Sequence, residues 1–243
     1  MLQAPGCHPV GLPAAGSGVY TGLVSGEAFR VSAGLLSFLV LLALPLALPA
    51  QEPVQRRLTL AQVWTLDAIY TDPQHGVTFR YPSTWQAEMQ FGYNAPALTE
   101  SGDFQPIAGF SYQEGYTAAG PYMDTNLQGF GVVYAAIPTA SAAECDTKAI
   151  ALTEFPKRSR IVLGGRRFSA YFASESGMSQ SISGELYATF AQGTCYLFET
   201  DMTDASTQVL EDVRGLTRAQ VRGISANLLK TMKSVRIAPR ERK

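Results

Sequence analysis

Beyond residue 50, the side chains best able to do chemistry are few: His75, Cys145, Cys195 and a run of basic residues near position 160. His75 is the one histidine in that region, so any Ser-His-Asp or Cys-His constellation would have to run through it. It lies in Asp72-Pro73-Gln74-His75-Gly76, a Pro and Gly turn, where an exposed loop residue is the simpler expectation. A zinc site of the usual type would need His75, Cys145 and Cys195 together, with little left to complete four ligands. Cys145 falls in the first turn of an expected helix, where the dipole lowers a thiol pKa and favours a reactive thiolate. The competing expectation is a structural disulfide with Cys195, and no Cys-x-x-Cys motif argues for redox chemistry.

Lys157, Arg158, Arg160, Arg166 and Arg167 form the densest basic cluster. On a hairpin, Arg160 and Arg166 or Arg167 come close enough to hold an anionic group or an acidic partner. An edge strand guarded by charge accounts for the same residues and is the preferred reading. Phe91, Tyr93, Phe104, Phe110, Tyr112, Tyr116 and Tyr122 mix with Gly and Ser in the manner of recognition surfaces, and Tyr116 to Tyr122 is the expected contact loop. Asp201, Asp204, Glu211 and Asp212 miss the spacing of a calcium loop and are expected to solvate a connection. Gly177-Met178-Ser179-Gln180-Ser181 lacks the Gly-x-Ser-x-Gly elbow, and Gly164-Gly165 lacks the Gly-Lys-Ser/Thr of a phosphate loop. The expectation is therefore no enzyme, no cofactor and no metal.

The chain has 243 residues and a formal net charge of −1, which argues against nucleic acid as a partner. Ala33 to Leu48 carries no charge, follows Arg30 and is broken by Pro45. At 1.5 Å rise its length is about 24 Å, short of the roughly 30 Å hydrocarbon core. Pro49-Ala50 then opens into the polar Gln51-Glu52-Pro53, which is the grammar of a signal peptide with an apolar core at 34–48 and cleavage after Ala50 or Ala47. An uncut anchor is the alternative, and it is the one expected route to a membrane. Residues 1–33 make an unusually long leader unless translation starts downstream. No Cys follows the apolar run to suggest a lipid anchor. Export leaves Cys145 and Cys195 as an even pair in an oxidising compartment, which favours the disulfide over the reactive thiol.

The elements that must position these residues follow from capping and periodicity. Thr59 and Gln62 have capping-box spacing, so 51–66 reads as a linker or short helix. Val77, Phe79 and Tyr81 alternate with Thr78 and Arg80 as a half-buried strand does. Strands are also expected at Ile107–Tyr112 and Gly129–Ile137, with a long exposed loop around Gly115, Gly120 and Pro121. Ser141 and Glu144 start a helix that ends near Leu152. Two hairpins follow: Arg160–Leu163 with Arg166–Ala173 around Gly164-Gly165, and Glu185–Ala191 with Thr194–Asp201 around Gln192-Gly193. A last helix is capped by Thr217 and Gln220, with Val221, Ile224, Leu228 and Met232 on one face. The sum is an α+β domain at 67–238, an antiparallel sheet of six or seven strands covered by helices, with a basic tail at 239–243.

Tyr70-Thr71-Asp72 through Gly76-Val77-Thr78-Phe79-Arg80-Tyr81-Pro82 and on to Trp85 resembles the opening of PsbP-like domains. The closing helix Asn227-Leu228-Leu229-Lys230-Thr231-Met232-Lys233-Ser234-Val235 is similar to their ending. The resemblance implies an α/β/α sandwich and a non-catalytic accessory or binding role, of the kind such domains play in photosynthetic assemblies, bacterial envelopes and nuclear transport. It carries no catalytic residue onto this chain. The resulting expectation is an exported binding domain of the periplasm or cell envelope, with a protein partner or small ligand; the alternatives are an envelope enzyme or redox protein using Cys145 and a membrane-anchored assembly factor.

Overall fold

A computed structural model describes residues 57–88, 98, 105–114, 119–153, 155, 158–177, 179–207 and 213–239. The expected leader at 1–50 and all but the first residue of the expected basic tail at 239–243 lie outside these residues.

The elements are α1 (Leu60–Trp64), β1 (Ala68–Asp72), β2 (Val77–Tyr81), β3 (Gln86–Glu88), β4 (Ala108–Gln113) and β5 (Leu127–Pro138). They continue with α2 (Ala142–Ala151), β6 (Arg158–Leu163), β7 (Arg166–Ser176), β8 (Gln180–Ala191), β9 (Thr194–Ala205), α3 (Arg218–Lys233) and β10 (Arg236–Ile237). Seven strands form one antiparallel sheet in the order β3-β4-β5-β9-β8-β7-β6, and β1-β2-β10 form a small sheet of three. The architecture is α+β.

Both faces of the large sheet are covered, and the alternation of side chains shows how. Along β9, Tyr196 and Phe198 enter one core, with Phe130, Val132 and Tyr134 of β5, Tyr187 of β8 and Phe168 of β7. Cys195 and Leu197 enter the other, with Val133 and Ala135, Leu186 and Ala188, and Tyr171 and Ala173. Period-two alternation thus sends every second residue to each side, and both sides are apolar. The first core is closed by α1, α3 and the small sheet. Ile224, Leu228 and Met232 recur on one face of α3 and are buried there. The second is closed by α2, which packs on β7, β8 and β9 through Cys145 and Ala149.

The helix starts follow the expected capping chemistry. Thr59 and Gln62, and Thr217 and Gln220, make complete capping boxes at α1 and α3. At α2 the Ser141 hydroxyl accepts from the Glu144 amide at 3.2 Å, while the Glu144 carboxylate reaches back one residue further, to the Ala140 amide at 2.7 Å. Strands β8 and β9 run longer than their expected hairpin, pairing from Gln180↔Ala205 to Ala191↔Thr194. The small sheet and β3 were not expected as separate elements. β10 and β3 span two and three residues, too short for periodicity to register.

Asp72 ties the small sheet to the large one. It is buried at the end of β1, where its Oδ1 accepts from the amides of Gln74 at 2.9 Å and His75 at 3.2 Å. Its Oδ2 lies 2.7 Å from His75 Nδ1 and accepts from the Tyr134 hydroxyl of β5 at 3.3 Å. The Tyr196 hydroxyl of β9 donates to the His75 carbonyl at 3.1 Å. His75 is therefore not the exposed turn residue expected. Its side chain is 16% exposed and paired with Asp72, because a buried carboxylate needs donors on every side.

Asp72→Ala strips the acceptor from Tyr134 and from the turn amides, so urea unfolding should show a loss of about 3 kcal/mol. Cys145 and Cys195 close a loop with a sequence separation of 50. Replacing both by Ser should cost about 4 kcal/mol by loop-closure entropy, read in the same assay. Burial, with help from Glu114, Asp72 and Glu185 respectively, pushes the hydroxyls of Tyr112, Tyr134 and Tyr187 well above the usual phenol range. These groups stay neutral in the folded state while the unfolded chain ionises near pH 10. Stability should hold up to about pH 9 and fall as pH rises beyond about 10, measured by urea midpoints across that range.

Candidate functional site

The β6–β7 hairpin carries the arginines, and its turn decides where they go. Gly164 and Gly165 have φ of 56° and 84°, the left-handed pair that a two-residue hairpin turn demands. The turn also rests directly on the chain just after α3. A Cβ on Gly164 would collide with the Val235 carbonyl oxygen and lie 2.7 Å from Arg236 Nη1. Glycine is therefore required there twice over, for its backbone angle and for the close approach.

Arg236 sits at the start of β10, opposite Thr78 of β2. Its Nη1 donates to the carbonyls of Lys233 at 3.0 Å and Val235 at 2.9 Å, satisfying acceptors that the end of α3 leaves open. Between this residue and the hairpin lies a cleft of about 600 Å³. Arg166, Arg167 and Arg236 line it, with Gly76, Thr78 and the Gly164-Gly165 turn, and no carboxylate is among the described residues of its wall. Such an arrangement presents guanidinium donors to an anion in a space of small-molecule size.

Arg167 also reaches a second, smaller pocket of about 210 Å³ with Arg160, Cys145, Asp146, Ser169 and Thr189. There the Asp146 carboxylate accepts from the hydroxyls of Ser169 at 2.9 Å and Tyr171 at 3.2 Å. Arg160 lies opposite Ser169 in the β6–β7 register and Arg158 opposite Tyr171. Because β6 is an outer strand of the large sheet, Arg158 and Arg160 occupy the positions where charge discourages edge pairing. The basic cluster thus divides: Arg158 and Arg160 on the edge strand, Arg166 on the Phe168 face beside the cleft, and Arg167 on the Ser169 face beside the smaller pocket.

The remaining expected positions fare differently. Cys145 and Cys195 are joined, with Cα atoms 5.3 Å apart, and both are buried. Tyr122 is not a surface residue. It is 5% exposed and its hydroxyl accepts from Trp64 Nε1 at 3.3 Å. Glu114 draws that segment inward, accepting from the Tyr112 hydroxyl at 2.9 Å and from the amides of Gly120 at 2.7 Å and Tyr122 at 3.1 Å. The exposed loop expected around Gly120 is consequently packed on the core at 119–122, where Ala119 is buried as well. Phe110 and Tyr112 are core residues of β4. Asp201 is buried on β9 rather than solvating a connection, and Asp204 accepts from the Ser181 hydroxyl at 2.8 Å. Lys157, Tyr116, Phe91, Tyr93, Phe104, Glu211 and Asp212 lie outside the described residues.

Arg236 was missed in the sequence. The signal available was a cation three residues beyond the last helical residue, but its neighbours Lys230 and Lys233 read as complements to the helix dipole and masked it.

Among the solved proteins to which the chain is similar in structure are three with TM-scores of 0.38 to 0.39. One is a protein of Bacteroides thetaiotaomicron, with a TM-score of 0.39, 8% identity, and 72% of this chain and 50% of that one covered. The chain therefore spans half the length of that relative. The second is cyanobacterial PsbP (CyanoP) of Synechocystis, with a TM-score of 0.39, 11% identity, and 70% and 92% covered. The third is LpqN, involved in cell envelope biogenesis in Mycobacterium tuberculosis, with a TM-score of 0.38, 12% identity, and 71% and 90% covered. No family model and no curated protein sequence matches the chain.

Proposed function

We propose that the chain is an exported, non-catalytic binding domain of the PsbP-like type, acting in the periplasm or cell envelope. The observation that carries this reading is the buried Cys145–Cys195 disulfide, which joins α2 to the central strand β9. A bond of this kind persists in oxidising compartments and is reduced in the cytosol. The apolar run at 34–48 supports the same compartment as a signal-peptide core. Among the described residues no helix is long and apolar enough to cross a membrane.

Binding falls to the β6–β7 hairpin. Arg166 and Arg167 stand at the end of a rigid, paired ribbon and make no ion pair among the described residues. A paired ribbon holds its side chains with little entropy left to lose, which suits recognition.

The test is the intact mass of the protein from its host's envelope fraction, alkylated with and without reductant. A mass beginning at Gln51, with alkylation only after reduction, is the expected result. Retention of 34–48 would make the protein an anchored assembly factor instead. Free thiols, or recovery from the cytosol, would overturn the reading.

A further inference from the structure

We propose that the cleft between the β6–β7 turn and β10 binds an oxyanion, the phosphoryl or carboxylate group of a small ligand, through Arg166 and Arg236. This deepens the binding reading above and rests on it.

Three observations converge on the cleft. Its wall brings Arg166 and Arg236 together without a carboxylate among the described residues, so their mutual repulsion finds no relief in that wall. An anion is the species that relieves it. The two arginines also come from separate elements, Arg166 from the hairpin and Arg236 from the small sheet. Finally, the wall is built rather than accidental. The Gly164 turn is seated on Val235, and Arg236 is braced through Nη1 by two carbonyls, leaving its other donors available. A fork held in this way loses less freedom when it takes a planar or tetrahedral oxyanion. The Thr78 hydroxyl on the same wall adds a neutral donor.

The contrast with the smaller pocket sharpens the assignment. There Arg160 and Arg167 share a wall with Asp146, a carboxylate already present, so an added anion gains less.

The test is calorimetric titration of the oxidised protein with sodium pyrophosphate and, separately, with citrate, at constant ionic strength against sodium chloride. The expected result is saturable one-to-one binding of at least one of them. R166Q should weaken it about tenfold, the loss of one charge-assisted contact, while R160Q should leave it unchanged. R236Q removes a brace of α3 as well as a ligand contact, so its thermal midpoint is read alongside, and R236K should recover part of the affinity. Response to pyrophosphate alone assigns a phosphoryl ligand, and response to citrate alone a carboxylate. Absence of saturable binding to either probe would overturn the proposal, as would binding that survives R166Q intact or is lost in R160Q. The titration reads only the cleft, so its failure leaves the export reading standing. Free thiols in the mass measurement would sink that reading without touching the cleft.

Discussion

A sheet that must hide both of its faces dictates most of this structure, and the demand is greatest at β9. That strand pairs along its length with β5 on one side and β8 on the other, and eleven of its twelve residues are buried. Neither face can be left to water, so each alternate set of side chains needs its own cover. Tyr196 and Phe198 require α3 and the small sheet, whereas Cys195 and Leu197 require α2. The disulfide lies where the second cover is thinnest: α2 has ten residues, and Cys145 and Ala149 are its buried ones. Two such small side chains remove little apolar area, so a covalent link to β9 compensates for a short helix with a narrow apolar stripe.

Burial on both sides also forces polar groups inside, and their partners define how the covers dock. Glu199 is fully buried on the α2 side of β9 and accepts from the Leu98 amide at 2.9 Å. Asp72 performs the same office on the opposite side, joining the β1–β2 turn to β5 through Tyr134. A buried carboxylate is costly without donors, so each of these acts as a register pin: the covering segment fits in one position or leaves the charge unmet. Apolar contact alone would tolerate small slides of the cover; these carboxylates do not.

Much of this was legible in the sequence, for identifiable reasons. Thr59-Gln62 and Thr217-Gln220 are chemical signals read in three residues, and the Gly164-Gly165 turn needs only a dipeptide. The pairing of Cys145 with Cys195 followed from compartment and count. What escaped depends on long-range contact. Tyr122 looked like a loop aromatic because Glu114, eight residues earlier, gives no local sign that it will fold the segment inward. Arg236 belongs to the cleft only because β10 pairs with β2, more than 150 residues away in sequence. His75 looked exposed because its partner is an aspartate three residues back, ordinarily a turn-former rather than a buried anchor.

The cleft is best understood as a by-product of that docking put to use. Once Asp72 fixes the small sheet against β5, β10 must run past the end of the β6–β7 hairpin, and only glycine at 164 lets the two backbones meet. Around that contact the side chains have room, because a turn and a strand end do not tile. Structural economy would fill such a gap with apolar groups or with charges of both signs. This chain instead brings Arg166 from the hairpin and Arg236 from β10 to it, and keeps carboxylates off the described wall. Edge protection accounts for Arg158 and Arg160 on the outer strand β6, while Arg166 and Arg167 stand on β7 ahead of Ser169, where its pairing with β8 begins. Of the two, Arg166 shares the face of Phe168 and so stands toward Arg236, and recognition of an anion gives that placement a use.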